Sequence, residues 1–514
     1  MGSTRTAVPT RAATGHATLQ RSRTVLAAVA LLTIGCTAAA CGPQPSTPEG
    51  PHPRLLSARL LDGAFELTWA PSVDGLSHGY ELQYMTSTTP WTTFASTTDS
   101  TVVFDEVEPK VLFSFRVRDR VDGQPWSPQI TARYVEPELP VIRIDTTNAA
   151  PILDRENYVR AAMTLDPNGS EFAPYSGTLD IRGRGNSTWL APKKPYRLRL
   201  DTKAALMGIA SNRHWVLLAN WSDKSQLRSY AAGEVARSTD LSFTPQYRHV
   251  EVILNGSYQG VYQLTEQIRS GGDRVDIEEM GPEDNAGIEL TGGYLMEIDS
   301  RLEINNEPGF RTSRNVPVVI KEPDPMTTEQ RNYIRGHINT FEAALFGPSY
   351  TDPTLGYRPY LDVEAYIDHY LVHELARNQD TFYSSTFLSK ERGDDRLVFG
   401  PMWDFDLSMG SFDHPRTLEA TGWQHRDLGP YTARLMTDPA FAAQVVERWN
   451  ALAADIAGLP AELEALGDSL QPVIANDAAR WGYQLREDQQ PSYIATWLGT
   501  RASWMSTTLG GAGS

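Results

Sequence analysis

Three aspartates carry the chemistry this sequence offers. Asp404 and Asp406 stand two places apart in "FGPMWDFDLSMG" (399–410), a run otherwise apolar or small, and Asp380 closes the earlier stretch "ARNQD". Two carboxylates about 4 Å apart repel by about 4 kcal/mol at an effective dielectric near 20. A cation or a shared proton must offset that if the three converge. Oxygen donors with no His/Cys cluster beside them favour a hard ion, and Mg²⁺ held by one or two carboxylates plus substrate phosphates fits better than a closed Ca²⁺ cage. The other arrangement keeps the acids apart, Asp404 bonded to a nearby backbone turn and Asp406 capping a short helix. Spacing alone leaves both open.

The elements around these residues decide whether they meet. "LDVEAYIDHYLVHELARNQD" predicts a helix with Asp362 as N-cap, ending just before Asp380. Beyond it, "TFYSSTFLSK" and "RLVFGPMWD" read as strands joined by the turn "ERGDD", so the hairpin returns the chain toward Asp380. Asn378 offers a further oxygen. "YRHVEVILNGSYQGVYQLTEQI" alternates on both sides of Asn255-Gly256, the dipeptide a type I′ hairpin turn prefers. Amphipathic helices are expected over 224–238 and 327–347, and the chain past 430 reads as mostly helical, with Trp449, Trp481, Trp497 and Trp504 as packing anchors.

Phosphate handling needs another source, because no G-x-x-x-x-G-K-[ST] loop is present. "RGRGNS" (182–187) offers glycines and guanidinium groups, with Arg182 as a candidate for phosphate oxygens; the same composition also makes ordinary turns. In "KPYRLRLD", Tyr196, Leu198 and Leu200 share one face, and Lys194 falls on that face, better placed than Lys193 to enter a cleft. Glu234, the only acid of the 224–238 helix, and Glu266 after "GVYQLT" are candidates to orient that lysine or a metal ligand. Lys321 and Glu322 either line the same cleft or form a surface turn.

At 514 residues with a formal charge of −17, the chain is long enough for two or more folded units and too acidic to favour nucleic acid. Both cysteines, Cys36 and Cys41, fall in the first 41 residues, so the folded part holds no disulfide. Arg21 and Arg23 precede the short apolar stretch Val25–Ile34, and small residues lead into Cys41 before the Pro-rich segment 41–53. This resembles a bacterial lipoprotein signal peptide over 1–40, cleaved and acylated at Cys41, which implies an extracytoplasmic protein anchored to the cell membrane. Residues 54–137 alternate in short segments between turn residues, an all-β sandwich. "FELTWAP", "HGYELQYM", "STVVFDEV" and "KVLFSFRVRDRVDGQPWSP" resemble strands of a fibronectin type III domain, with Leu67, Trp69, Tyr80, Leu82, Tyr84, Phe113, Phe115 and Val117 inward. From 140 to 510 the pattern turns to mixed α and β.

Within that second region "IRGRGNSTW", "KKPYRLRLD", "NWSDKSQLRSYAAGEVAR", "VEVILNGSYQGVYQLTEQI", "GGYLMEID", "YIDHYLVHELARNQDTFYSSTFLSKE" and "FGPMWDFDLSMG" follow in order. This set resembles the spore coat CotH kinase-like family. The resemblance implies an atypical protein-kinase-like α+β domain with a helical C-terminal part, using ATP and Mg²⁺ to phosphorylate Ser or Thr of a secreted or surface protein, or of itself. By position it makes Asp380 the catalytic-loop aspartate, Asp404 and then Asp406 the metal ligands with Asn378, and Lys194, Arg182, Glu234 and Glu266 nucleotide-site residues. The alternative is a non-catalytic surface protein, serving adhesion or envelope assembly on a kinase-like fold.

Overall fold

The computed structural model describes residues 52–510 except 62–63, 73–77, 109–110, 122 and 134–135. The leader and residues 41–51 of the Pro-rich segment, Cys41 among them, lie outside them. Among the described residues, no helix is long and apolar enough to cross a membrane.

Seven strands open the fold: β1 (Arg54–Leu61), β2 (Ala64–Ala70), β3 (Tyr80–Met85), β4 (Thr92–Thr97), β5 (Thr101–Phe104), β6 (Leu112–Asp119) and β7 (Ile130–Arg133). They form two antiparallel sheets, β1-β2-β5 and β4-β3-β6-β7. Period-2 alternation turns Phe65, Leu67 and Trp69 of β2 toward Phe113, Phe115 and Val117 of β6, all buried in one cluster. Tyr84 is only partly buried at its margin, 4.7 Å from the Phe104 ring.

The next strands close on themselves. β8 (Val141–Thr146), β9 (Val159–Asp166), β10 (Tyr175–Gly183), β11 (Tyr196–Leu206), β12 (Ile209–Leu218), β13 (Tyr247–Leu254) and β14 (Ser257–Glu266) form a barrel in the order β10-β11-β12-β14-β13-β8-β9. Closure removes the sheet edges. Asn255 and Gly256 both take positive φ, +49° and +72°, as the I′ turn between β13 and β14 requires. One helical turn, α1 (Ser187–Leu190), follows β10, and α2 (Arg228–Arg237) sits between β12 and β13. Helix α2 starts at Arg228, later than the expected Lys224. Gln226 lies at φ +63°, and the Asp223 carboxylate takes the Arg228 N–H at 2.8 Å, so the preceding residues form a cap rather than a turn of helix.

The remainder joins a five-stranded sheet to a helical layer. The strands are β15 (Tyr294–Ile298), β16 (Gly309–Arg311), β17 (Pro317–Glu322), β18 (Thr386–Lys390) and β19 (Leu397–Phe399), ordered β16-β17-β15-β18-β19. The helices are α3 (Thr328–Phe346), α4 (Val363–Ala376), the short α5 (His425–Leu428) and α6 (Thr432–Leu435), then α7 (Pro439–Asp455), α8 (Leu459–Trp481) and α9 (Pro491–Gly510). Thr327 and Gln330 form a capping box on α3, and Asp362 accepts the Ala365 N–H at 3.0 Å on α4. Both starts follow the sequence reading. Helix α4 is buried along nearly its whole length, and the polar side chains it buries, Asp368, His369, His373 and Glu374, are enclosed with its apolar ones. Trp449 and Trp497 are buried anchors, whereas Trp481 and Trp504 are half-buried.

Candidate active site

Helix α4 ends at Arg377, in the left-handed region at φ +47°. The loop that follows is laced to the segment after β19. Gln379 N–H donates to Leu407 C=O at 3.1 Å, Met409 N–H to Ala376 C=O at 2.8 Å, and Asn378 Nδ2 to Asp404 C=O at 3.0 Å. These bonds bring Asp380, Asp404 and Asp406 together, one carboxylate oxygen from each lying within 4.8 Å of the others.

The surroundings make this costly. Trp403 and Phe405 flank Asp404 and are buried, and Asp404 itself sits at φ +67°, a conformation side chains rarely adopt. Ser385 Oγ donates to Asp404 Oδ2 at 2.9 Å, whereas no described residue hydrogen-bonds or ion-pairs with the Asp380 carboxylate. Burial and then Asp404 push the Asp380 carboxyl up to about 7, against the opposing pull of Arg301. Burial, then Asp404 and Asp380, hold the Asp406 carboxyl well above the usual carboxylate range. Three crowded acids, the Asp380 carboxylate among them without a hydrogen-bond partner, are a donor set suited to a hard divalent ion. Asp404 and Asp406 would hold it, with Asp380 adjacent.

Behind the triad, His373 stacks on Phe405, centroids 4.8 Å apart at 15°. Asn378 Nδ2 approaches His373 Nδ1 at 3.3 Å and Thr381 Oγ1 approaches it at 2.6 Å. An amide NH₂ only donates, so Nδ1 is the acceptor and the ring is neutral. Burial lowers the His373 pKa well below its usual value, in agreement. Arg228 is buried and donates to Ser408 C=O at 2.8 Å and to Asp223 at 2.7 Å, pinning the end of the aspartate segment to α2.

Several expected site residues lie elsewhere or act differently. Asn378 braces the loop, its oxygen accepting the Asp380 N–H at 3.1 Å. Lys194 does not enter a cleft; its ammonium donates to Trp189 C=O at 2.7 Å. Lys193 is the buried one, paired with Asp477 of α8 at 2.8 Å. Residues 191–195 are irregular, so the alternation of β11 does not extend back to the lysines. Arg182 turns outward to Arg155 C=O and stacks on Tyr158. Glu234 pairs with Arg237 one turn along its own helix. Glu266 orients no lysine; it takes the Gln246 N–H at 2.6 Å and faces Arg274 at 3.5 Å. Lys321 bridges Glu297 and Glu307, 2.8 Å from each, and Glu322 accepts the Ser270 N–H.

The charges that do flank the triad come from residues not singled out in the sequence. Arg301, in the loop after β15, pairs with Asp299 at 3.1 Å and, less strongly, acts on Asp404 and then Asp380. Burial holds the pKa of Arg184, the second arginine of "RGRGNS", below the usual arginine value, against the pull of Asp404, then Glu297 and, more weakly, Asp406. Glu297 in turn accepts the Ser385 N–H at 3.0 Å. Only the G-R-G run hinted at Arg184; nothing marked Arg301.

No curated protein matches the sequence. Among solved structures, the FN1-FN3 domains of chicken CNTN1 are similar at 15% identity and a TM-score of 0.14, over 29% of this chain and 58% of that one. Titin kinase with its flanking domains gives 11% and 0.14, over 42% and 37%. The twitchin kinase region from C. elegans gives 10% and 0.18, over 90% and 76%. The chain spans less than two thirds of the first two, and likenesses at such scores add nothing to the architecture described above. The model of the family described as "CotH kinase protein" matches residues 181–505, well over half of the chain and all three aspartates. With that match and the acidic triad inside it, the chain belongs to the CotH kinase protein family.

Proposed function

We propose that the chain is a protein kinase that uses ATP and Mg²⁺ to phosphorylate serine or threonine on a secreted or surface protein, or on itself, while anchored outside the cytoplasm by acylated Cys41. The observation that carries the catalytic part is the convergence of Asp380, Asp404 and Asp406. A surface built only for adhesion gains nothing from three acids held in an apolar setting. Phosphoryl transfer depends on positioning and charge neutralisation, and Mg²⁺ supplies the latter at the phosphates. The Asp380 carboxylate, without a hydrogen-bond partner among the described residues, is free to accept from the acceptor hydroxyl and aim it. Its elevated proton affinity suits a group that takes up that proton at neutral pH. Asp404 and Asp406 hold the metal side, fixed by Ser385 and by the Asn378 brace. Phe405, wedged against neutral His373, keeps that segment from rotating away.

The test is transfer of label from γ-labelled ATP by the full chain with Mg²⁺ or Mn²⁺. Labelling of the chain or of a Ser-rich acceptor, lost in Asp404→Ala, is the expected result. Equal labelling by that variant, or none with any divalent ion, would return the chain to the adhesion reading.

A further inference from the structure

We propose that Arg184 is a phosphate-binding residue of the same site, acting as a stand-in counter-charge for the carboxylates when no polyphosphate is bound; this rests on the kinase reading. The arginine lies just past β10, and its backbone is fixed. Its N–H donates to Pro195 C=O at 3.2 Å, and the Gly183 N–H to Asp154 C=O at 2.9 Å. A Cβ on Gly183 would fall 2.4 Å from the Trp189 ring, and Gly185 takes φ +83° against Thr188, so both glycines are required for the turn. The guanidinium rests over Trp403, 5.3 Å from the ring centroid, directly beside Asp404 in the chain.

What distinguishes Arg184 is that it does not close on any acid. Arg228 and Arg501 each meet a carboxylate at 2.7 Å. Arg184 makes no side-chain hydrogen bond and no ion pair within 4.0 Å among the described residues, although Asp404, Glu297 and Asp406 all act on it. An indole face holds a guanidinium without consuming its donors. An unpaired fork on one side and a metal-competent acid cluster on the other are together suited to a group with several anionic oxygens. A phosphate chain meets both demands, binding metal with some oxygens and the fork bidentately with others.

The sign of two binding effects tests this on the full chain. Calorimetric titration with Mn²⁺ alone should show Arg184→Ala binding about threefold tighter than wild type, because a repelling charge is gone. Titration with Mg²⁺-ATP should show the same variant binding about 10- to 100-fold weaker, as expected for lost charge-assisted hydrogen bonds. Arg184→Lys keeps the charge and loses the fork, so Mn²⁺ binding stays at wild type and Mg²⁺-ATP binding falls between; it carries the test if the alanine variant does not fold. Parallel weakening of both ligands, or unchanged Mg²⁺-ATP binding in either variant, overturns the proposal and leaves the kinase reading intact. A wild-type chain that binds Mn²⁺ but no Mg²⁺-ATP overturns both.

Discussion

Asp404 is held at φ +67° between buried Trp403 and Phe405, and Asp380 and Asp406 are pushed toward protonation beside it. Asp404→Asn keeps the shape and removes the charge, so transfer should fall by about 10²–10³ while the fold is retained, measured as kcat with saturating Mg²⁺-ATP. Asp380→Asn should lower kcat by about 10²–10⁴ with Mg²⁺-ATP affinity nearly unchanged, because its role is toward the acceptor hydroxyl. A pH effect follows from the same crowding. The Asp380 carboxyl lies near 7 when folded against an ordinary value of 3.8, so the native state binds the extra proton. Stability from this group is present below about 4 and is lost as pH rises through about 7. Metal-free protein should therefore show a Tm that falls between pH 5 and pH 8. Added Mg²⁺ should reduce that fall, and Asp380→Asn should remove its share. At this scale the triad was legible in the sequence, since a helix end and a hairpin bring residues 380 and 404 together. The fate of Lys194 and the part of Arg184 were not, because the lysines lie before a strand and Arg184 just past one, where alternation no longer fixes direction.

Helix α4 is the element on which the site depends, and its C-terminal end is anchored by Glu374. That carboxylate takes N–H groups of Gln424, His425 and Arg426 at 2.7–2.8 Å and pairs with fully buried Arg501 of α9 at 2.7 Å. Removing one partner of a buried pair leaves an uncompensated charge. Arg501→Ala should cost about 3–5 kcal/mol in urea denaturation, and Arg501→Lys should recover only part, since it cannot supply the guanidinium's several bonds. The helix caps at Thr327 and Asp362 and the Asn-Gly hairpin were readable because their signals are local. The start of α2 was not, because the Asp223–Arg228 cap depends on a buried pairing with no sequence periodicity.

At the scale of the whole molecule, closure of the barrel was beyond sequence reasoning. It depends on a parallel pairing of β8 with β13, strands about a hundred residues apart whose contact no local pattern encodes. The barrel is tied to the helical layer by Lys193, whose ammonium meets Asp477 of α8 while Asp477 also takes the Val261 N–H at 3.0 Å and the Tyr483 hydroxyl at 2.7 Å. A Cβ at Gly260 would strike that carboxylate, so the glycine admits it. Lys193→Met should destabilise by about 3–5 kcal/mol, and adding Asp477→Leu should restore part of the loss, by the logic of buried pairs. Phosphoryl transfer by this chain requires a divalent ion among the three aspartates. Anomalous diffraction from a crystal soaked in Mn²⁺ and a non-hydrolysable ATP analogue tests that directly. The expected result is a peak bonded to Asp404 and Asp406 beside Asp380, with the phosphates reaching toward Arg184. A map with no peak there, and the analogue bound elsewhere or absent, would contradict it.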